Sequence, residues 1–169
     1  MNVDRMQQLV RVLLEVEAQG KHFNIGCWSR QESCGTVACA VGWAARDKWH
    51  NGQGLSLVAD TSGYGQYDGP HFIPAYSVFS DTDAVAEYFE IPATHVTYFF
   101  YAHSYRKLDG NPVTYGDTVK SITVREVIDR LQNFLGEKAY PEKGVAVAVA
   151  EPPAVEELAA VSVAVLETV

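Results

Sequence analysis

Basic residues are scarce in this chain of 169 residues. Lysine and arginine together number 13, against 21 aspartates and glutamates, and the formal net charge is −8. No run of basic residues is present that would neutralise phosphates and release counterions, which argues against binding nucleic acid through a basic surface. The same charge argues against attachment to an anionic membrane surface.

Cysteines and long apolar runs are also scarce. The three cysteines are an odd number and form no even-numbered disulfide framework, so we expect reduced thiols and an intracellular protein. No uncharged apolar run of about 18 residues precedes residue 137, so no transmembrane helix is expected. Asp4 and Arg5 lie where a secretory signal would have its apolar core. The P-loop, GxGxxG, serine-elbow and HExxH motifs are missing.

Small residues are concentrated in residues 31–49, QESCGTVACAVGWAARDKW. Gly35, Ala38, Cys39 and Gly42 follow helical spacing, which predicts a central helix over residues 36–48. A glycine inside a helix costs about 1 kcal/mol relative to alanine, so we expect a packing reason for Gly42. A helix edge without bulky side chains allows another backbone to approach closely.

Two motifs in this region resemble those of a group of small uncharacterised proteins from phages, prophages and actinobacteria. Residues 34–44, CGTVACAVGWA, resemble the group's C-G-T-x-A-C-x-x-G-W-A signature, and residues 23–28, FNIGCW, resemble the F-N-[MI]-x-x-W element that precedes it. The group has no activity to transfer. The resemblance implies a phage or mobile-element protein, in the cytoplasm of a bacterial host, that interferes with a host factor such as a defence system.

The rest of the chain predicts a mainly α fold, with α+β as the alternative. Apolar periodicity and capping residues, among them a capping box of Thr123 and Glu126, predict helices over residues 4–17, 82–90, 92–101 and 123–135. The residues expected to face inward are Met6, Leu9, Val10, Leu13 and Leu14 in the first helix, Ala84, Val85, Tyr88 and Phe89 in the second, Phe99 and Phe100 in the third, and Val124, Val127, Ile128, Leu131, Phe134 and Leu135 in the fourth. Two short candidate strands, 55–59 and 72–79, make at most a minor two-stranded sheet, and Pro74 makes the second of them an edge strand.

A change in composition after Gly136 predicts the domain boundary. Residues 1–136 are expected to form one globular domain around the small-residue helix. Residues 137–169 are expected to form a linker and an Ala/Val/Glu-rich segment. The pattern of that segment fits a docked helix and a partly disordered, partner-seeking tail equally well.

Tyrosines outside the predicted core are the candidate binding residues. Loop 61–72 presents Tyr64, Tyr67 and His71, and the aromatic run near residue 100 adds Tyr101 and Tyr105. Tyrosine is enriched in interfaces, so the sequence predicts that the chain binds another protein. Packing of the loop tyrosines against the body of the domain is the alternative for these residues.

A cysteine-nucleophile hydrolase is the alternative function. Cys34 or Cys39 would lie at a helix N-terminus, where the helix dipole favours the thiolate, and His71, His95 or His103 would act as the base. Small buried cysteines without reactivity are the favoured explanation of the pattern.

Neither a metal nor another cofactor is expected, and the oligomeric state stays open. His22, Cys27, Cys34, Cys39 and His50 are close in sequence but lack the paired spacing of zinc ligands. A disulfide from Cys27 to Cys34 or Cys39 is disfavoured in a reducing compartment.

Overall fold

The computed structural model of the protein describes residues 1–33, 35–61, 70–105 and 122–136. These residues form six α-helices, one 3₁₀ turn (Ala102–Ser104) and a five-stranded antiparallel sheet. The helices are α1 (Val3–Ala18), α2 (Ala40–Ala44), α3 (Lys48–Gly52), α4 (Asp81–Phe89), α5 (Ala93–Phe100) and α6 (Val124–Leu135). The strands are β1 (Ser29–Glu32), β2 (Gly35–Ala38), β3 (Ser56–Ala59), β4 (His71–Tyr76) and β5 (Phe79–Ser80). The fold is α+β, and the prediction of a mainly α domain with at most two strands is wrong.

The sheet is built around β4. The strand order is β2–β1–β4–β3, and β5 pairs with the end of β4. The predicted pair of strands is present, since Leu57 of β3 lies opposite Pro74 of β4. The prediction that Pro74 makes this an edge strand is wrong. On its other side β4 pairs with β1 through His71 and Phe72 and with β5 through Ala75 and Tyr76, so Pro74 falls between these two pairings.

The predicted central helix over residues 36–48 is also wrong. Gly35–Ala38 forms strand β2, which pairs with β1 from Glu32↔Gly35 to Ser29↔Ala38, and the helical part is split into α2 and α3. Gly35 has a φ of +128°, a conformation that side chains disfavour and glycine tolerates. Asp47 divides the two helices, because its side chain accepts hydrogen bonds from the N–H groups that begin α3.

The two sequence motifs pack against each other at the end of β2. The Cys39 N–H lies 3.0 Å from the Cys27 carbonyl oxygen and 3.2 Å from that of Trp28. A Cβ atom placed on Gly42 would lie 1.7 Å from the same Trp28 oxygen. The close backbone approach predicted at Gly42 is confirmed, although α2 is much shorter than predicted. Both motifs therefore serve to build one packed corner of the fold.

The longer helices form the apolar core. Helix α1 buries four of the five residues of its predicted stripe and leaves Leu14 half-buried. Helix α4 buries all four residues predicted to face inward, Ala84, Val85, Tyr88 and Phe89. Helix α6 begins with the predicted capping box of Thr123 and Glu126 and packs on α1. Val127, Ile128 and Leu131 of its predicted stripe are buried, whereas Val124 and Leu135 are half-buried and Phe134 is 41% exposed. The exposed Phe134 ring lines a groove between α5 and α6.

Several predictions fall on residues outside the described parts of the chain. They concern Cys34, Tyr64 and Tyr67, together with the domain boundary after Gly136 and the segment 137–169. These stay predictions. Within the described parts, no helix combines the length and the apolar composition that crossing a lipid bilayer would require.

Candidate binding groove between helices α5 and α6

A concave surface of about 660 Å³ lies where α5, the 3₁₀ turn and α6 meet. We call it the aromatic groove. Helix α5, the 3₁₀ turn and the residue after it supply Tyr98, Ser104 and Tyr105, and α6 supplies Glu126, Asp129, Arg130, Asn133 and Phe134. The α6 residues are spaced three and four apart, so they share one helix face, next to the face that packs into the core.

Arg130 organises the walls of the groove. Its guanidinium carbon lies 3.5 Å from the centre of the Tyr105 ring and 4.6 Å from that of Tyr98. Nη1 donates to the Tyr98 carbonyl at 2.6 Å and to Ser104 Oγ at 2.8 Å, and Nη2 donates to the Ser104 carbonyl at 3.2 Å. Carbonyls near the end of a helix lack intrahelical partners, so Arg130 of α6 helps to cap α5.

The aromatic rings of the groove differ in exposure. Tyr98 is 46% exposed and Phe134 is 41% exposed, whereas Tyr105 is buried and its hydroxyl donates to the Phe99 carbonyl at 2.8 Å. Burial raises the pKa of Tyr105, with the Arg130 charge opposing that shift. Tyr105 was predicted as an exposed contact residue, and it forms a buried wall instead. Phe99 and Phe100 are buried, as predicted.

Sequence reasoning missed four groove residues that now matter: Tyr98, Asp129, Arg130 and Phe134. One signal for them was present. Asp129 and Asn133, like Arg130 and Phe134, are four residues apart, so α6 carries a mixed polar and aromatic face in addition to its apolar stripe. Nothing in the sequence indicated that this face would meet the end of α5.

The other predicted site residues within the described ranges, Tyr101, His103 and His71, are not among the residues that line the groove. Tyr101 is half-buried, with its hydroxyl 2.7 Å from Thr82 Oγ1 and its ring edge-to-face with Trp28. His103 is exposed beside it on the 3₁₀ turn, with ring centres 5.7 Å apart. His71 is half-buried in β4, opposite Arg30 of β1. Tyr101 is therefore close to the groove residues in sequence, but its ring contacts Trp28 and does not line the groove.

Neither of the two described cysteines has the lowered thiol pKa of an activated nucleophile. Cys39 is buried at the start of α2, and burial raises the pKa of its thiol to about 12, although nearby backbone hydrogen bonds lower it. Burial also raises the pKa of Cys27. Both are free thiols, so they form no disulfide with each other. A thiolate at neutral pH is disfavoured at both sites. No group of three or more His, Cys, Asp or Glu side chains among the described residues is arranged to hold a metal ion.

His50 of α3 and Tyr88 of α4 form a buried polar pair. The His50 Nδ1 lies 2.8 Å from the Tyr88 hydroxyl, and Arg5 places its guanidinium carbon 4.4 Å from the centre of the Tyr88 ring. Burial lowers the pKa of His50 to about 4, with Asp47 opposing the shift and Arg5 adding to it. Nε2 of His50 has no hydrogen-bond partner within the described parts. The side chain is fully buried, so a bound substrate would not reach it.

Replacing Arg130 with lysine is expected to lower the free energy of unfolding by about 2 kcal/mol. An ammonium group has no planar fork, so it cannot keep both the ring stacking and the three hydrogen bonds. Thermal and urea unfolding would measure the loss. Asp129→Asn, an exposed change on the same helix, is the control and should stay within about 0.5 kcal/mol of wild type. Equal stability of Arg130→Lys and wild type would contradict the role given to Arg130.

No family model, curated protein or solved structure matches this chain. The resemblance to phage and actinobacterial proteins therefore stays a prediction from the two motifs.

Proposed function

We propose that this chain acts by binding another protein and that the aromatic groove is its docking site. The observation that carries the proposal is the pair of exposed rings, Tyr98 and Phe134, at a concave surface of about 660 Å³. Large aromatic side chains and arginine are enriched among the residues that contribute most to binding at protein interfaces. Covering two exposed rings also removes apolar area from water, which favours association.

The arrangement of Arg130 supports a binding role because it orders the groove before any partner arrives. The guanidinium stacks between Tyr98 and Tyr105 and is held by three hydrogen bonds. Side chains that are already fixed lose less conformational entropy on association. A preformed surface of this kind fits rigid docking better than coupled folding.

Two finer parts of the proposal rest on the sequence alone. The phage-type resemblance favours a host factor as the partner, with inhibition of a defence system as one form of interference. The scarcity of cysteine favours the bacterial cytoplasm as the compartment. The identity of the partner would test both.

The proposal is tested by capture with immobilised protein. Bacterial proteins retained by the wild type should be lost with the double variant Tyr98→Gln/Phe134→Gln, and the Kd of the purified partner should rise at least about ten-fold. The matched control is Val58→Gln/Val78→Gln, which removes apolar side chains that are 42% and 89% exposed on β3 and between β4 and β5. Circular dichroism spectra of both variants would check that they are folded. Unchanged binding by the groove variant, or equal loss in the control, would refute the groove as the docking site.

A further inference from the structure

We propose that the aromatic groove receives an arginine side chain of the partner protein, an inference that rests on the proposed docking function. The first observation is the unbalanced charge of the groove. Glu126 and Asp129 contribute two carboxylates, against the single guanidinium of Arg130. Asp129 is exposed, and its carboxylate makes no hydrogen bond or ion pair within the described parts of the chain.

The cation already present does not neutralise Asp129. All three hydrogen bonds of Arg130 are directed to Tyr98 and Ser104 at the end of α5, and its planar face lies on Tyr105. One oxygen of Glu126 is held by the capping box at Thr123. The carboxylate of Asp129 therefore remains available to a second cation that enters from solvent.

The exposed rings favour a guanidinium over an ammonium as the bound cation. A guanidinium stacks on aromatic faces and pairs with a carboxylate through two parallel N–H bonds, whereas an ammonium is more strongly hydrated and offers no planar face. Tyr98 and Phe134 expose their rings in the same groove as Asp129. Arginine matches both features at once, and its apolar stem can cover part of the rings.

A second concave surface has the same surplus of negative charge. It measures about 300 Å³, lies along α4, and is lined by Phe79, Asp83, Ala86, Glu87, Glu90 and Ile91. The carboxylates of Asp83 and Glu87 have no partner among the described residues, and they are four residues apart on one helix face, where like charges repel. The whole chain is also acidic, with a formal net charge of −8. An arginine-bearing partner is therefore complementary to both concave surfaces.

Two-dimensional amide NMR spectra of the full chain test the inference, with capped arginine, lysine and leucine amides as the probes. Arginine amide is expected to shift the signals of residues 98–105 and 126–134, and the lysine and leucine probes are expected to bind more weakly. Asp129→Asn should weaken arginine binding roughly two- to five-fold without changing leucine binding. The matched control Glu15→Gln removes an exposed helical carboxylate on α1 and should leave both affinities unchanged.

Three results would overturn the inference. The first is leucine or lysine amide binding as tightly as arginine amide. The second is equal weakening by Asp129→Asn and Glu15→Gln, which would indicate general charge attraction. The third is the absence of arginine-induced shifts in the groove at high millimolar concentration. The capture experiment with Tyr98→Gln/Phe134→Gln reports on docking separately, so a groove that binds its partner through other chemistry would be recognised as such.

Discussion

Gly42→Ala is expected to lower the free energy of unfolding by about 3–5 kcal/mol, which is comparable to the whole stability of many small domains. The added Cβ would lie 1.7 Å from the Trp28 carbonyl oxygen and 2.8 Å from its carbon. A backbone carbonyl cannot rotate away as a side chain can. To relieve this clash, the backbone at Trp28 would have to move. The carbonyls of Cys27 and Trp28 also accept hydrogen bonds from the Cys39 N–H, so the movement would break the contact between the two motifs.

Gly52→Ala is the matched control for this substitution. Gly52 ends α3, and a Cβ there would meet nothing within 4 Å. We expect stability equal to or slightly above wild type, because alanine reduces the entropy of the unfolded chain. Urea unfolding monitored by tryptophan fluorescence would compare the two variants. Similar midpoints for Gly42→Ala and Gly52→Ala would show that the Trp28 loop yields easily, contrary to the packing described.

The second large expected effect is acid destabilisation through His50. Its pKa is lowered from 6.5 to about 4 in the folded protein, so the unfolded chain binds a proton more tightly between these two values. Stability is therefore complete above pH 6.5 and falls as the pH decreases toward 4, by roughly 3 kcal/mol from this group. The cause is the cost of charging a fully buried imidazole beside Arg5.

His50→Gln isolates this contribution, because carboxylates elsewhere also titrate in acid. The variant is expected to be less stable than wild type at neutral pH, since the bond to Tyr88 is lost or weakened. Its loss of stability between pH 6.5 and pH 4 should be smaller than that of wild type by roughly 3 kcal/mol. Ile128→Val, a core change without a titratable group that costs about 1 kcal/mol, controls for lower stability itself. An unchanged pH slope in His50→Gln would remove His50 as the cause.

The candidate site was predictable in part. The aromatic run near residue 100 drew attention to the correct end of α5, and Tyr105 is indeed a groove residue, although a buried one. The spacing of Phe134 matches the apolar stripe of α6 and predicts a core residue. Its exposure depends on where α5 and the 3₁₀ turn end relative to α6, which is a matter of packing between distant segments.

The cysteine motif shows how spacing alone can mislead. Residues 35, 38, 39 and 42 are small at helical intervals, yet the first two belong to a strand. Small side chains at these positions serve a close approach of backbones, and both a helix edge and a strand end can require that. The nucleophile hypothesis for Cys39 depended on a helix N-terminus, and burial of the thiol acts against it.

The sequence alone specified those structural features that depend on residues close together in the chain. Helices α1 and α6 follow from apolar periodicity and from a glycine with positive φ just beyond the C-terminal end of each, and α6 also has a capping box. All these features are set by residues within a few positions of one another. The need for glycine at position 42 was also readable. Tertiary structure decided the pairing of β1 with β4, the position of Pro74 inside the sheet and the exposure of Phe134. Each of these depends on pairing or packing with segments that are remote in the chain, and hydrophobic periodicity carries no information about those partners.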